Sequence, residues 1–205
     1  MGLDLLALPP AELVALVVAT SFAAGLSVPV TVATIGLLAR AGALVLPPSL
    51  DPMASWWVIG GALALFAIEF VADKTPVIDL VWNALQTFIR VPAGALLAYG
   101  ATAQLSPGQQ LLAALLGGIV ALAAHSGKAA MHVTANASPE PFSNAALGLA
   151  EDALAIFLTW FATEHPFLAA AIAVLFLAVI AVLIHVVWRA LRGLFRPLKT
   201  STPLN

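Results

Sequence analysis

Arg90, Glu151 and Asp152 stand near the middles of two long apolar segments, in a chain of 205 residues of which 62% are hydrophobic and only 9% are charged. A bilayer core penalises such groups by roughly 3 kcal/mol or more unless each faces a partner or a wet cavity. They therefore mark a candidate working site. Arg90 follows Pro76 by fourteen positions and Glu151 follows Pro139 by twelve, about 21 Å and 18 Å of helical rise from one face. If their helices touch, Arg90 pairs with Glu151 or Asp152, while the adjacent acid, about 100° round the helix, faces a neighbouring cavity. Three ionised groups would leave one surplus negative charge for a proton, a cation or a substrate amine to neutralise. The bland alternative is an ion pair that only locks two helices together.

Gly25-Leu26-Ser27-Val28-Pro29 lies at the centre of the first apolar segment. Pro29 removes an amide donor and clashes with the preceding turn, so the helix is bent or unwound there, and Ser27 and Pro29 join the expected binding site. Unwound backbone at membrane depth survives only when buried in protein or lining a cavity. Pro92, two residues after Arg90, is expected to disturb its helix in the same way. Asn144, seven residues before Glu151, is placed with the same site. The alternative here is an ordinary kink, because Pro and Gly are frequent in membrane helices.

A second group is expected near the inner face. Glu69 and Asp73 are four apart and share a helix face, and Lys74, Asp79, His125, Lys128 and His132 fall at comparable depth. They are expected to form a gate or a head-group site, or simply a solvated interfacial network. The spacing of His125, Lys128 and His132 is not that of a metal site, so no metal is assigned. Neither a Gly-x-Ser-x-Gly elbow nor a Gly-rich phosphate loop occurs in the sequence, and with no cysteine there is no thiol chemistry. The expectation is a protein that is not an enzyme and has no cofactor.

These residues need an apolar scaffold. A mean hydropathy of +1.04 excludes a soluble globule, and strand-type alternation is absent from the sequence. The reading is an all-α, polytopic inner-membrane helical bundle of about six crossings, at 11–42, 54–74, 76–102, 107–127, 139–163 and 166–191, the first discontinuous. Whether that first segment is a broken span or a re-entrant hairpin stays open. Residues 1–195 form one transmembrane domain and 196–205 a short polar tail. Arg189, Arg192, Arg196 and Lys199 crowd the C-terminal end, which the positive-inside rule places in the cytoplasm of a bacterium, and six crossings then put the N-terminus there too. Expected partners are the lipid bilayer and a small solute, ion or lipid ligand, with no nucleic acid and a homo-oligomer allowed.

The stretch Glu69-Phe70-Val71-Ala72-Asp73-Lys74-Thr75-Pro76, then Thr87-Phe88-Ile89-Arg90-Val91-Pro92-Ala93-Gly94-Ala95, and later Ser138-Pro139-Glu140-Pro141-Phe142-Ser143-Asn144 with Glu151-Asp152, resembles the bacterial membrane family filed as domain of unknown function 4126. The resemblance runs from the first expected crossing to the fifth. It implies a multi-pass membrane protein and assigns no residue a role. From the residues themselves, the expected function is small-solute or ion translocation, in a proton-coupled form if the carboxylates titrate. The alternatives are lipid transport or head-group binding on a Glu69/Asp73/Lys74/Lys128 surface, and a non-transporting scaffold.

Overall fold

The computed structural model describes residues 2–72, 76–136 and 141–194. Seven helices are described: α1 (Pro10–Leu26), α2 (Val28–Arg40), α3 (Trp56–Ala72), α4 (Pro76–Ala101), α5 (Pro107–Asn136), α6 (Pro141–Glu164) and α7 (Pro166–Leu194). Several start where the sequence has a Pro to open them, at Pro76, Pro107, Pro141 and Pro166, whose missing N–H would be unused in a first turn anyway. The fold is an all-α bundle. Pro107–His132, Ala146–Glu164 and Pro166–Val186 are long and apolar enough to cross a membrane, and only 11% of the last is buried. Such an outward-facing apolar helix belongs in lipid.

The first helix is discontinuous, as expected, and it folds back. Ser27 is extended and separates α1 from α2, with Pro29 in the first turn of α2. Two-residue strands, β1 (Leu3–Asp4) and β2 (Leu44–Val45), pair in parallel, Leu3 opposite Leu44. The two ends of the α1–α2 unit therefore meet. At about 1.5 Å per residue α1 and α2 would separate those ends by roughly 45 Å if they ran on in line. The unit is thus a re-entrant helical hairpin with its tip at Gly25 to Ser27.

Contacts at that end of the bundle give the remaining helices their directions. Gln104, between α4 and α5, donates to Leu5 O at 2.7 Å, and Ser49 Oγ donates to Gly100 O at 3.1 Å. Thr163 and Glu164 line a groove with Leu3, Asp4 and Ala41 to Ala43, and Pro166 lines a second one with Leu3 and Glu12. Hence α4 and α6 arrive at this end, and α5 and α7 leave from it. The expected six crossings become a hairpin followed by five helices of alternating direction. Residues 3–8 and the end of α7 then lie at opposite ends of the bundle, whereas six full crossings would bring both to one end, because the hairpin returns the chain to the end it started from. Arg40 stays at the hairpin end, donating to Ala54 O at 3.0 Å and stacking 4.3 Å from the Trp56 ring.

Two further boundaries differ from expectation. α4 runs unbroken through Pro92, the loss of one rung being absorbed within 26 residues of helix. α5 continues past 127 to Asn136, so Lys128 and His132 are helical rather than part of a hinge, because no Pro interrupts the run before Pro139. The expected tail at 196–205 lies outside the described residues.

Candidate functional site

The hairpin tip can sit deep because its neighbours are small. A Cβ on Gly25 would lie 2.5 Å from Ala121 O and 2.6 Å from Ala124 Cβ, so backbone packs on backbone at α5. α4 and α5 approach in the same manner through Gly94, Ala98, Gly117 and Ala121. Close approach brings polar groups from five helices within reach of one another. Arg90 is 0% exposed, Lys128 and His132 are 1%, Glu69 is 2%, His125 is 3%, Glu151 is 4% and Asp152 is 7%.

Arg90 Nη2 donates to Glu69 Oε1, Nε donates to Gln86 Oε1 at 3.1 Å, and Nη1 donates to Gly25 O at 3.2 Å. Nη1 also meets His125 Nδ1 at 3.1 Å. A guanidinium only donates, so Nδ1 holds a lone pair, and Nε2 carries the ring hydrogen and donates to Thr87 Oγ1 at 2.7 Å. His125 is thereby a neutral acceptor. Lys128 Nζ donates to Leu26 O and Glu69 Oε1, both at 3.3 Å, and lies 3.1 Å from Glu151 Oε2. His132 Nε2 is 3.1 Å from that same oxygen. The result is a continuous buried line, Arg90–Glu69–Lys128–Glu151–His132, running from α4 through α3 and α5 to α6.

The expected contact of Arg90 with Glu151 or Asp152 is therefore corrected. Arg90 pairs with Glu69, and Lys128 stands between that pair and Glu151. Glu69 joins this line because α3 starts at the hairpin end of the bundle, so its depth counts from Trp56. Counted from the hinge after it, Glu69 falls near a membrane face. Counted from Trp56 it is thirteen residues in, the same number that separates Glu151 from Glu164, so both carboxylates reach one level.

Glu69, His125, Lys128 and His132, expected near the inner face, are not solvated but buried in the central cluster, all at most 3% exposed. His125, Lys128 and His132 recur at spacings of three and four, the period of one helix face, and that was the available signal. Ser27 sits at the hairpin tip, 0% exposed, and Pro29 is buried beside it. Asp152 is buried next to Glu151, one position round α6. Asp73 and Lys74 lie outside the described residues, as do the side chains of Asp79 and Asn144. Among the described residues no three His, Asp or Glu side chains group as ligands for a metal ion.

A bundle of apolar helices enclosing fixed charges under a re-entrant hairpin defines the class, a helical membrane protein with an ionic interior. The chain belongs to the family described as Domain of unknown function (DUF4126), whose model matches residues 14–186 and so takes in the hairpin tip with most of α1 and all of α2, every residue of the charged line and most of α7. No curated protein and no solved structure matches it.

Proposed function

We propose that the protein moves a small solute or an ion across the membrane, in a proton-coupled form, through the site where the hairpin tip meets the buried charges. One observation carries this reading: at the non-helical backbone of Ser27, deep in the bundle, the two preceding carbonyls accept from the buried side chains of Arg90 and Lys128. Broken helices at depth are tolerated where they line a path or a site, and a purely structural lock would need no break. The end of α7 bearing Arg189 and Arg192 faces the cytoplasm of a bacterial inner membrane, and the hairpin enters from the opposite face. Lipid handling is less well supported, because it needs Glu69 and Lys128 at a surface and both are buried.

The test is flux. Purified protein in liposomes is expected to dissipate an imposed pH gradient, or to take up solute in response to one, faster than protein-free vesicles. Glu151→Gln should insert normally and lose that activity. Vesicles indistinguishable from protein-free controls, across a panel of ions and small solutes, would sink the proposal.

A further inference from the structure

We infer that the buried cluster is a binding site for a small monovalent cation, Na⁺ or a hydrated proton, and not for an anion. This deepens the translocation reading and rests on it for its purpose. The inference starts from which hydrogen-bonding groups are already used. Arg90 commits four of its five N–H donors, to Glu69, Gln86, Gly25 O and His125. Lys128 has three N–H bonds and three acceptors around it, Leu26 O, Glu69 Oε1 and Glu151 Oε2. An incoming anion would find the cations already engaged.

The acceptors are in the opposite condition. Glu69 Oε1 receives both Arg90 and Lys128, while Glu69 Oε2 is buried with no hydrogen-bond partner. Glu151 Oε2 meets both Lys128 and His132, while Glu151 Oε1 is buried and bare. Ser27 Oγ, on the residue after the Leu26 carbonyl that Lys128 holds, is also buried and bare. Buried oxygens without a donor are unfavourable unless something fills them, and three come from the three elements that converge on one ammonium. Acceptors of this kind are satisfied by a group that brings positive charge and binds oxygen, and a small hard cation is that group. Lys128 then serves as the resident cation that holds the oxygens together and orders the hairpin tip.

The experiment is cation-dependent stability of the full chain in detergent, read by thermal unfolding in NaCl, KCl and choline chloride at equal ionic strength, from pH 5.5 to pH 9. Wild type is expected to show saturable stabilisation by Na⁺ or Li⁺ over choline, or by falling pH alone; the first identifies a metal cation and the second a proton. Ser27→Ala removes an oxygen that bonds nothing in the protein, so it should fold, keep wild-type stability in choline, and shift half-saturation roughly tenfold. Glu151→Gln should abolish the response. No cation-specific or acid-specific stabilisation of wild type, or an unchanged response in both variants, would overturn the inference. Saturable binding without liposome flux would overturn translocation and leave this site standing; flux with unaltered binding in both variants would do the reverse.

Discussion

Arg90 does at Gly25 what Pro29 cannot. In an unbroken helix the amide of residue 29 would donate to the carbonyl of residue 25, but Pro29 has no N–H, and Arg90 Nη1 reaches that carbonyl at 3.2 Å instead. The break at Ser27 frees the next carbonyl, and Lys128 takes it. A buried cation at the C-terminal end of α1 also meets the negative end of the helix dipole. Hairpin tip and charge cluster therefore stabilise each other.

Pro29→Ala returns the missing donor and lets residues 25 and 29 bond directly, displacing Arg90. The expected result is a new, protected amide at position 29, where wild type has none, and a loss of about 1–3 kcal/mol from the guanidinium left short of an acceptor. Exchange mass spectrometry with chemical unfolding checks both. A more stable variant would contradict the coupling.

Glu69 neutralises two cations through one oxygen, so Glu69→Ala should be among the most damaging single changes, at about 3–5 kcal/mol, as expected when a buried pair loses one member. Arg90→Lys keeps the charge but loses the planar fork that serves Glu69, Gln86, Gly25 O and His125 together, and is expected to fall well below wild type in unfolding midpoint. In a double-mutant cycle Glu69 and Arg90 should couple by about 0.5–3 kcal/mol. Additive effects would show that the pair does not act as one unit.

Two glycines should respond with opposite signs. At Gly117 a Cβ would meet Ala98 Cβ at 2.6 Å, Gly94 O at 2.6 Å and Ser21 Oγ at 2.8 Å, so Gly117→Ala overpacks the α4–α5 contact and costs about 1–3 kcal/mol. Around Gly60, inside α3, nothing lies within 4 Å, and Gly60→Ala should stabilise by about 0.5–1 kcal/mol through helix propensity. Thermal midpoints of the two variants decide it.

The hairpin makes a topology prediction that labelling can read directly, since the chain has no cysteine of its own. Ala7→Cys and Ala41→Cys, both exposed, should react with an impermeant maleimide from the same side of a sealed vesicle, and Arg189→Cys from the other. Labelling of Ala7→Cys and Ala41→Cys from opposite sides would mean a broken span in place of the hairpin.

Much of the local structure was written in residue chemistry. Pro29 takes a helical amide away beside Gly25 and Ser27, Pro76 and Pro166 open helices, and Arg90 in an apolar run demands burial with a partner, so the break, two boundaries and the presence of an ionic site were legible before any fold was known, although Pro92 by the same rule was expected to disturb α4 and did not break it. Direction and pairing were not. A Pro says that a helix ends but not which way the chain leaves, and the turn back depends on Gly25 docking against Ala121 and Ala124 and on Leu3 meeting Leu44, contacts between distant residues. Counting rise from a hinge placed Glu69 near a membrane face. The packing of α3 against α2 set it instead at the level of Arg90 and Lys128. Rise along one helix is local geometry, whereas relative depth between helices is fixed by how their small residues let the backbones close together, and only the tertiary structure decides that.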